Sequence, residues 1–343
     1  MTISIKGLVQ TFLDTDPNLT NEQIAEKIQQ TVPGSVTSAA SVSSMKSALR
    51  KEGAIPSRST LQSTVAVIPE VEEDPEVRSA RIRTRYATLE RMSHRVADGG
   101  LPAIIVSGPP GLGKSFTVEQ VLKDKELRDA GLADEEEAVM MKEAGGAGYY
   151  DTICGTITAP GLYLTLWNMR EGGVVVLDDC DDVFRDETCL NLLKAVLDSS
   201  ETRRVSYRKR ASWMEEEGIP TSFEFKGSIV FCTNVDFELA ISKGSAMGTH
   251  FSALIDRSLY LSLTMRNQKD FITRIRHVAI EDRMLEKGGL TEDQAAEVMT
   301  FVEDHADRFY SLSLRLVHQM GLCYLADEVN WKDDIEATKM RTV

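Results

Sequence analysis

The sequence predicts an α/β fold: a central parallel sheet covered by helices on both faces, with a helical unit at each end of the chain. Three observations predict it. Five short apolar runs, at 103–106, 149–153, 174–177, 228–232 and 259–263, alternate with helix-length segments. Such runs are expected where helices bury both faces of a parallel sheet. The first run leads directly into a glycine-rich turn at 108–113, and from 268 onward the patterning is helical only.

Residues 1–56 read as a small helical domain. Apolar residues recur at helical spacing over 3–12, and Thr20 followed by Gln23 has the capping-box pattern. The helix behind that cap carries Ile24, Ala25 and Ile28, and Pro33-Gly34 breaks it. Another helix is expected to start after Thr37 or Ser38 and to run to about Lys51. Two short helices with a tight turn between them make a helix-turn-helix pattern. The stretch LTNEQIAEKI…SVSSMKSALRKEG resembles the helix-turn-helix modules of phage and bacterial proteins. That resemblance implies phosphate contacts from Lys46, Arg50 and Lys51, with hydroxyls from Ser43, Ser44 and Ser47. The alternative is a helical domain that docks on a protein partner. Residues 57–76 read as a linker, where Ser and Thr give way to Pro and acidic residues without a helical period. Residues 77–265 form the expected α/β core, opening with a charged helix at 77–97, and 266–343 the expected helical lid.

Gly108-Pro109-Pro110-Gly111-Leu112-Gly113-Lys114-Ser115 fits the phosphate-loop pattern, with an expected strand before it and a helix after it. Its glycines let backbone N–H groups wrap an anion, and the helix that follows points its positive end at the same place. Lys114 is expected on the β- and γ-phosphates and Ser115 on magnesium. Phe116, the next residue, completes the candidate nucleotide-binding set. The run Val174-Val175-Val176-Leu177 ends in Asp178 and Asp179. Asp178 is the candidate magnesium residue, and Asp179 stands where a general base would orient the attacking water.

GPPGLGKS followed by VVVLDD resembles the AAA+ superfamily, and the loop is nearly that of the Holliday-junction branch-migration helicases. The resemblance covers roughly residues 77–325. It implies a P-loop AAA+ core with a C-terminal helical lid, ATP and Mg2+ as ligands, and ATP hydrolysis. One departure matters: Asp179 replaces the usual glutamate, with a carboxylate shorter by one methylene. The resemblance further implies that Asn234, at the end of the fourth core strand, positions the water. It makes Arg257, just before the last strand, an arginine finger for a neighbouring subunit, a role that Arg203 or Arg204 could take in its place, and Arg315 a lid cation on the γ-phosphate. An arginine finger requires an oligomer, and a hexameric ring is the family default. The segment 155–161 corresponds to the pore-facing loop but lacks the aromatic-hydrophobic-glycine pattern of protein unfoldases.

Residues 203–210 hold five cations in eight positions: Arg203, Arg204, Arg208, Lys209 and Arg210. Tyr207 and Trp213 lie close by, and arginines interleaved with aromatics suit a single-stranded nucleic acid. Residues 205–209 and 222–226 are expected to pair as a hairpin. The alternative is a solvated basic loop balanced by Glu215–Glu217. Net charge is −14 over 343 residues, so DNA contact is expected on local patches rather than over the surface. No apolar run approaches the ~20 residues of a membrane span, and the first residues lack a signal-peptide pattern. The expected location is the cytoplasm, that of the host for a phage-encoded protein, with no membrane partner. The five scattered cysteines are expected as buried thiols. The function these features imply is an ATP-driven AAA+ ring acting on DNA. The alternative is a protein-remodelling ATPase whose N-terminal domain docks a partner.

Overall fold

The computed structural model describes residues 5–15, 19–32, 37–51, 73–131, 148–198, 200–208, 212–216, 218–244 and 246–342. The chain divides into two compact units, residues 1–73 and 74–343.

The first unit holds three helices, α1 (Ile5–Thr15), α2 (Asn21–Thr31) and α3 (Ala39–Lys51). They close around Val9, Ile24, Ile28, Val42 and Leu49. The expected capping box is present: Thr20 Oγ1 accepts from Gln23 N at 3.2 Å and Gln23 Oε1 accepts from Thr20 N at 2.9 Å. Residues 33–36, which contain the expected turn, and 52–72, most of the expected linker, lie outside the described residues.

The second unit opens with α4 (Pro75–Ala97), two residues earlier than expected. The signal was Asp74-Pro75: Asp74 Oδ1 accepts from Glu76 N at 2.8 Å, and proline is favoured in a first turn. Five strands follow, β1 (Ala103–Ser107), β2 (Tyr150–Cys154), β3 (Val174–Asp178), β6 (Ser228–Thr233) and β7 (Leu259–Ser262). They form one parallel sheet in the order β2-β3-β6-β1-β7. All five match expected apolar runs to within a residue. The short hairpin β4 (Arg204–Ser206) and β5 (Ser222–Glu224) pairs antiparallel, as expected.

Alternate residues of each strand enter different cores. Ile104, Val106, Val174, Val176 and Val230 face α4, helix α5 (Lys114–Ala130) and the lid helices that follow β7. Ile105, Val175, Leu177, Ile229 and Phe231 face α6 (Ala159–Asn168), α7 (Glu187–Val196) and α10 (Ala246–Arg257). Between α7 and α10 lie the five-residue helix α8 (Ser212–Glu216) and α9 (Phe237–Ser242). The lid comprises α11 (Gln268–Arg276), a π-helical turn (His277–Glu281), α12 (Met284–Lys287), α13 (Glu292–Asp304), α14 (Leu314–Ala326) and α15 (Trp331–Lys339). It shares the first core, so lid and sheet pack as one body around a single apolar cluster. No helix among the described residues is long and apolar enough to cross a membrane. Cys180, Cys189 and Cys232 are buried as expected, whereas Cys323 is only half-buried and Cys154 is exposed at the end of edge strand β2, two departures from expectation.

Candidate nucleotide site

Parallel strands place their carboxyl ends together, and ligands in such sheets bind beyond those ends. Here β1, β3 and β6 deliver Gly108, Asp178 and Asn234 to one place. The loop after β1 turns on Gly111 and Gly113, with φ of +71° and +91°. Such values are costly for other residues. Space is equally short: a Cβ on Gly108 would lie 2.9 Å from Leu263 Cβ, and one on Gly111 2.8 Å from Ser313 Cβ. Gly113 is the N-cap of α5 and offers no capping side chain, so the first-turn N–H groups are left for an anion.

Lys114 is 5% exposed. Its Nζ donates to Gly108 O at 2.8 Å, Pro109 O at 2.9 Å and Asn234 Oδ1 at 2.8 Å. Burial pulls its pKa down, against the opposing charges of Asp179, Asp178 and Asp181. Ser115 Oγ donates to Asp178 Oδ1. These two hard oxygen groups fit magnesium. No set of three His, Cys, Asp or Glu able to hold a metal exists among the described residues.

Asp179 follows β3 at φ +51°, a left-handed conformation that Asp tolerates better than most residues. Its N–H donates to Cys232 O at 2.9 Å, and its Oδ1 accepts from Asn234 Nδ2 at 2.7 Å. Burial raises its pKa, and Asp178 adds to the rise; Lys114 and Arg315 oppose it. The Asn234 amide thus ties this carboxylate to Lys114 of the phosphate loop.

The lid packs on the phosphate loop. Leu314 N donates to Gly111 O at 2.8 Å, which seats the start of α14 on the phosphate loop. Arg315, in the first turn of α14, is exposed, and its charge is felt at Asp179. A cation at a helix N-terminus is electrostatically misplaced unless an anion joins it. Arg257 lies apart: it ends α10, two residues before β7, and donates Nη1 to Ala253 O at 2.8 Å. Because β7 runs parallel to β1, Arg257 sits at the amino end of the sheet, opposite its own phosphate loop.

Sequence reasoning missed Arg274 and Tyr86. Arg274, 9% exposed, lies over the Tyr86 ring at 3.4 Å from its centroid and reaches Leu112 O at 3.4 Å. Its burial lowers its pKa. The available signal was a cation on the apolar stripe of α11, three residues after Phe271 and next to Ile275. Burial likewise lowers the pKa of His277, one turn further on.

The basic hairpin corrects one expectation. Arg203 is committed to the fold: Nη1 donates to Val196 O at 3.1 Å, Nη2 to Gly227 O at 2.7 Å, and the guanidinium lies over Phe225. Tyr207 is buried against Tyr163, with ring centroids 5.3 Å apart, so it offers no stacking face to a base. Arg204 and Arg208 are exposed, and Arg204 Nε donates to Ser222 Oγ at 2.9 Å. Lys46 is also engaged internally, donating to Leu19 O at 2.9 Å. Lys209, Arg210 and the side chains of Arg50, Lys51 and Trp213 lie outside the described residues.

The parallel sheet, the phosphate loop, the acid-tipped β3 strand and the lid seated on the loop define a P-loop protein with an AAA+-type core. No family model matches the chain. An uncharacterized 36.7 kDa protein of Enterobacteria phage T4, from the nrdC–mobD intergenic region, is 32% identical over 268 residues, spanning 78% of this chain and 77% of the phage protein. The chain belongs to the family of that phage protein. Among solved structures, NtrX from Brucella abortus in complex with ATP aligns at 15% identity and a TM-score of 0.42, over 98% of this chain and 72% of that one. Its complex with ADP aligns at 15% and 0.40, over 94% and 66%. Likeness at that level is too slight to carry function.

Proposed function

We propose that the protein is an ATP-hydrolysing AAA+ ATPase whose active site is completed by a second copy of the chain. The observation that carries this is the convergence of Lys114, Ser115, Asp178, Asp179 and Asn234 at the carboxyl ends of three adjacent strands. An arriving γ-phosphate replaces the carbonyls now bound by Lys114, while the α5 N-terminus takes the rest of the anion. Magnesium, when bound, is held by Ser115 and Asp178 and offsets phosphate charge. Asn234 and Asp179 orient a water and accept its proton. Arg315 meets the γ-phosphate from the lid, and Arg257 reaches the site of a neighbour.

For the substrate, we propose DNA, met by the outward face of the hairpin, where Arg204, Ser206 and Arg208 alternate. A hexameric ring in the cytoplasm is the arrangement this reading takes. A protein-remodelling role is favoured by Lys46 and Arg203, which are both engaged within their own units, and it makes the three-helix unit a docking module.

The test is steady-state ATPase of wild type beside Lys114→Ala, with and without single-stranded and duplex DNA. Hydrolysis that vanishes in Lys114→Ala and rises with DNA supports both parts. Lys114-dependent hydrolysis indifferent to DNA moves the substrate to protein. Equal hydrolysis in the two proteins overturns the ATPase assignment.

A further inference from the structure

On the ATPase reading, Asp179 and Asn234 orient the attacking water, yet both residues are exposed, so burial does not fix them. Asp179 also sits at φ +51°, a conformation that persists off glycine only where the surroundings hold it. One tie is made by its own N–H, which donates to Cys232 O at 2.9 Å, one residue before the end of β6. A second tie comes from the last residue of β6, Thr233, which is 1% exposed.

A threonine hydroxyl has a single hydrogen to donate and lone pairs to accept with. Thr233 Oγ1 accepts from Val235 N at 3.0 Å, a local bond that closes the chain around Asn234. Its hydrogen goes to Asp181 Oδ1, 2.6 Å away. The main chain of Thr233 meets the phosphate loop as well, since Thr233 O accepts from Gly108 N at 3.2 Å. Asp181 and Asp182 are adjacent in sequence and differ in use. Asp182 is exposed and pairs with Arg185 at 3.1 Å on the surface, whereas Asp181 turns to a buried hydroxyl. The chain is therefore held before and after Asn234, at Thr233 and Val235, and again at Asp179 N and at Asp181, two residues on.

We propose, resting on the ATPase reading above, that Thr233 and Asp181 are positioning residues for hydrolysis. Their hydrogen bond braces the turn after β3 against the end of β6 and so sets the Asp179–Asn234 geometry in which water is oriented. Both act through those two side chains and not on the nucleotide. Loss of the brace therefore slows turnover and leaves nucleotide binding, which belongs to the phosphate loop, in place.

The experiment measures steady-state ATPase, ADP binding by calorimetry and the thermal midpoint on the full chain. The proteins are wild type, Thr233→Val, which keeps the shape and loses the hydroxyl, Asp181→Ala, the double variant, and Thr233→Ser, which returns the hydroxyl and is the rescue. Thr233→Val and Asp181→Ala should each lower kcat by about 10-fold or more, the scale of a small misplacement of reacting groups, with KM for ATP and ADP affinity within about 3-fold of wild type. Thr233→Ser should recover most of the activity. The double variant should be no slower than the slower single, because one hydrogen bond can be lost only once. Full kcat in either single variant overturns the proposal, as do losses that multiply in the double. A fall in ADP affinity parallel to kcat, or a Thr233→Ser protein as slow as Thr233→Val, marks a structural role and overturns it too. If Thr233→Val shows no folding transition, Asp181→Ala and Thr233→Ser decide by the same criteria. Wild type without Lys114-dependent hydrolysis overturns the ATPase reading itself, and the brace falls with it.

Discussion

Asn234 donates its side-chain amide to Asp179 Oδ1 at 2.7 Å, and through its own Oδ1 the same side chain accepts from Lys114 at 2.8 Å. One amide therefore fixes the relative positions of the proposed base and the proposed phosphate-binding lysine. Replacing Asn234 by Ala removes both contacts and leaves the loop backbone intact. Turnover should fall about 100-fold, the scale of a lost general-base contribution, with ADP affinity changed by less than about 3-fold. A parallel collapse of ADP binding in calorimetry would mean that Asn234 serves the loop rather than the water.

Asp179 sits at φ +51°, where an aspartate is tolerated and a longer side chain less so. The departure from the glutamate usual in the family therefore has a backbone correlate. Asp179→Asn should abolish hydrolysis while keeping the thermal midpoint at or slightly above that of wild type, because it removes a carboxylate whose charge burial and Asp178 both disfavour. Asp179→Glu should lower stability by roughly 1 kcal/mol. Calorimetric midpoints of the three proteins decide it, and a lower midpoint for Asp179→Asn would sink the argument.

Arg257 lies at the amino end of β7 and the phosphate loop at the carboxyl end of β1, its parallel neighbour. No rotamer spans that length of sheet, so Arg257 can serve only another copy. Arg257→Ala and Asp179→Asn should each be inactive alone. Mixed and allowed to exchange subunits, they should regain hydrolysis, since some sites then combine an intact Asp179 with a neighbour's intact Arg257. Mixtures as inactive as either parent would exclude the shared site.

Arg203 and Arg208 look alike in sequence and differ in structure. Arg203→Ala strands the carbonyls of Val196 and Gly227 and should cost about 2 kcal/mol, the scale of lost charge-assisted hydrogen bonds. Arg208→Ala, at an exposed position, should leave stability within about 0.5 kcal/mol and, on the DNA reading, reduce stimulation by single-stranded DNA. Chemical denaturation of both variants separates the roles, and equal midpoints would show that Arg203 contributes no more than a surface residue.

That contrast shows what a sequence can carry. The middle of the sheet was legible because β1, β3 and β6 are buried on both faces and so appear as unbroken apolar runs ending in Ser107, Asp178 and Thr233. The phosphate loop was legible because spacing alone imposes its backbone. Asp178, Asp179 and Asn234 followed from their positions at strand ends. Contacts between distant segments were not legible. The engagement of Arg203 depends on Gly227 passing within reach, 24 residues on, and a basic cluster looks the same whether its members face solvent or carbonyls. Tyr86 and His277 lie in helices 191 residues apart, and nothing in either local pattern announces that they line one cavity.

His277 should make the stability of the lid seam depend on pH. The groups facing it are Ser79 and Arg83 from α4 and Arg274, Glu281 and Asp282 from the lid. Burial is the largest cause of its lowered pKa; Arg83 and Arg274 push the same way, while Glu281 and Asp282 oppose them. In the unfolded chain the ring titrates near its ordinary 6.5, so on acidification the unfolded state takes up this proton first. The stability that comes from keeping His277 neutral is therefore complete above pH 6.5 and is lost as pH falls through the lower folded-state value. His277→Gln cannot titrate and lacks this component, whereas carboxylate contributions are common to both proteins and cancel in the comparison. Thermal midpoints of wild type and variant, followed downward from pH 7.5, should fall more steeply for wild type below about pH 6.5. Parallel curves through that range would show that His277 has the same proton affinity folded and unfolded, which its buried place between α4 and the lid argues against.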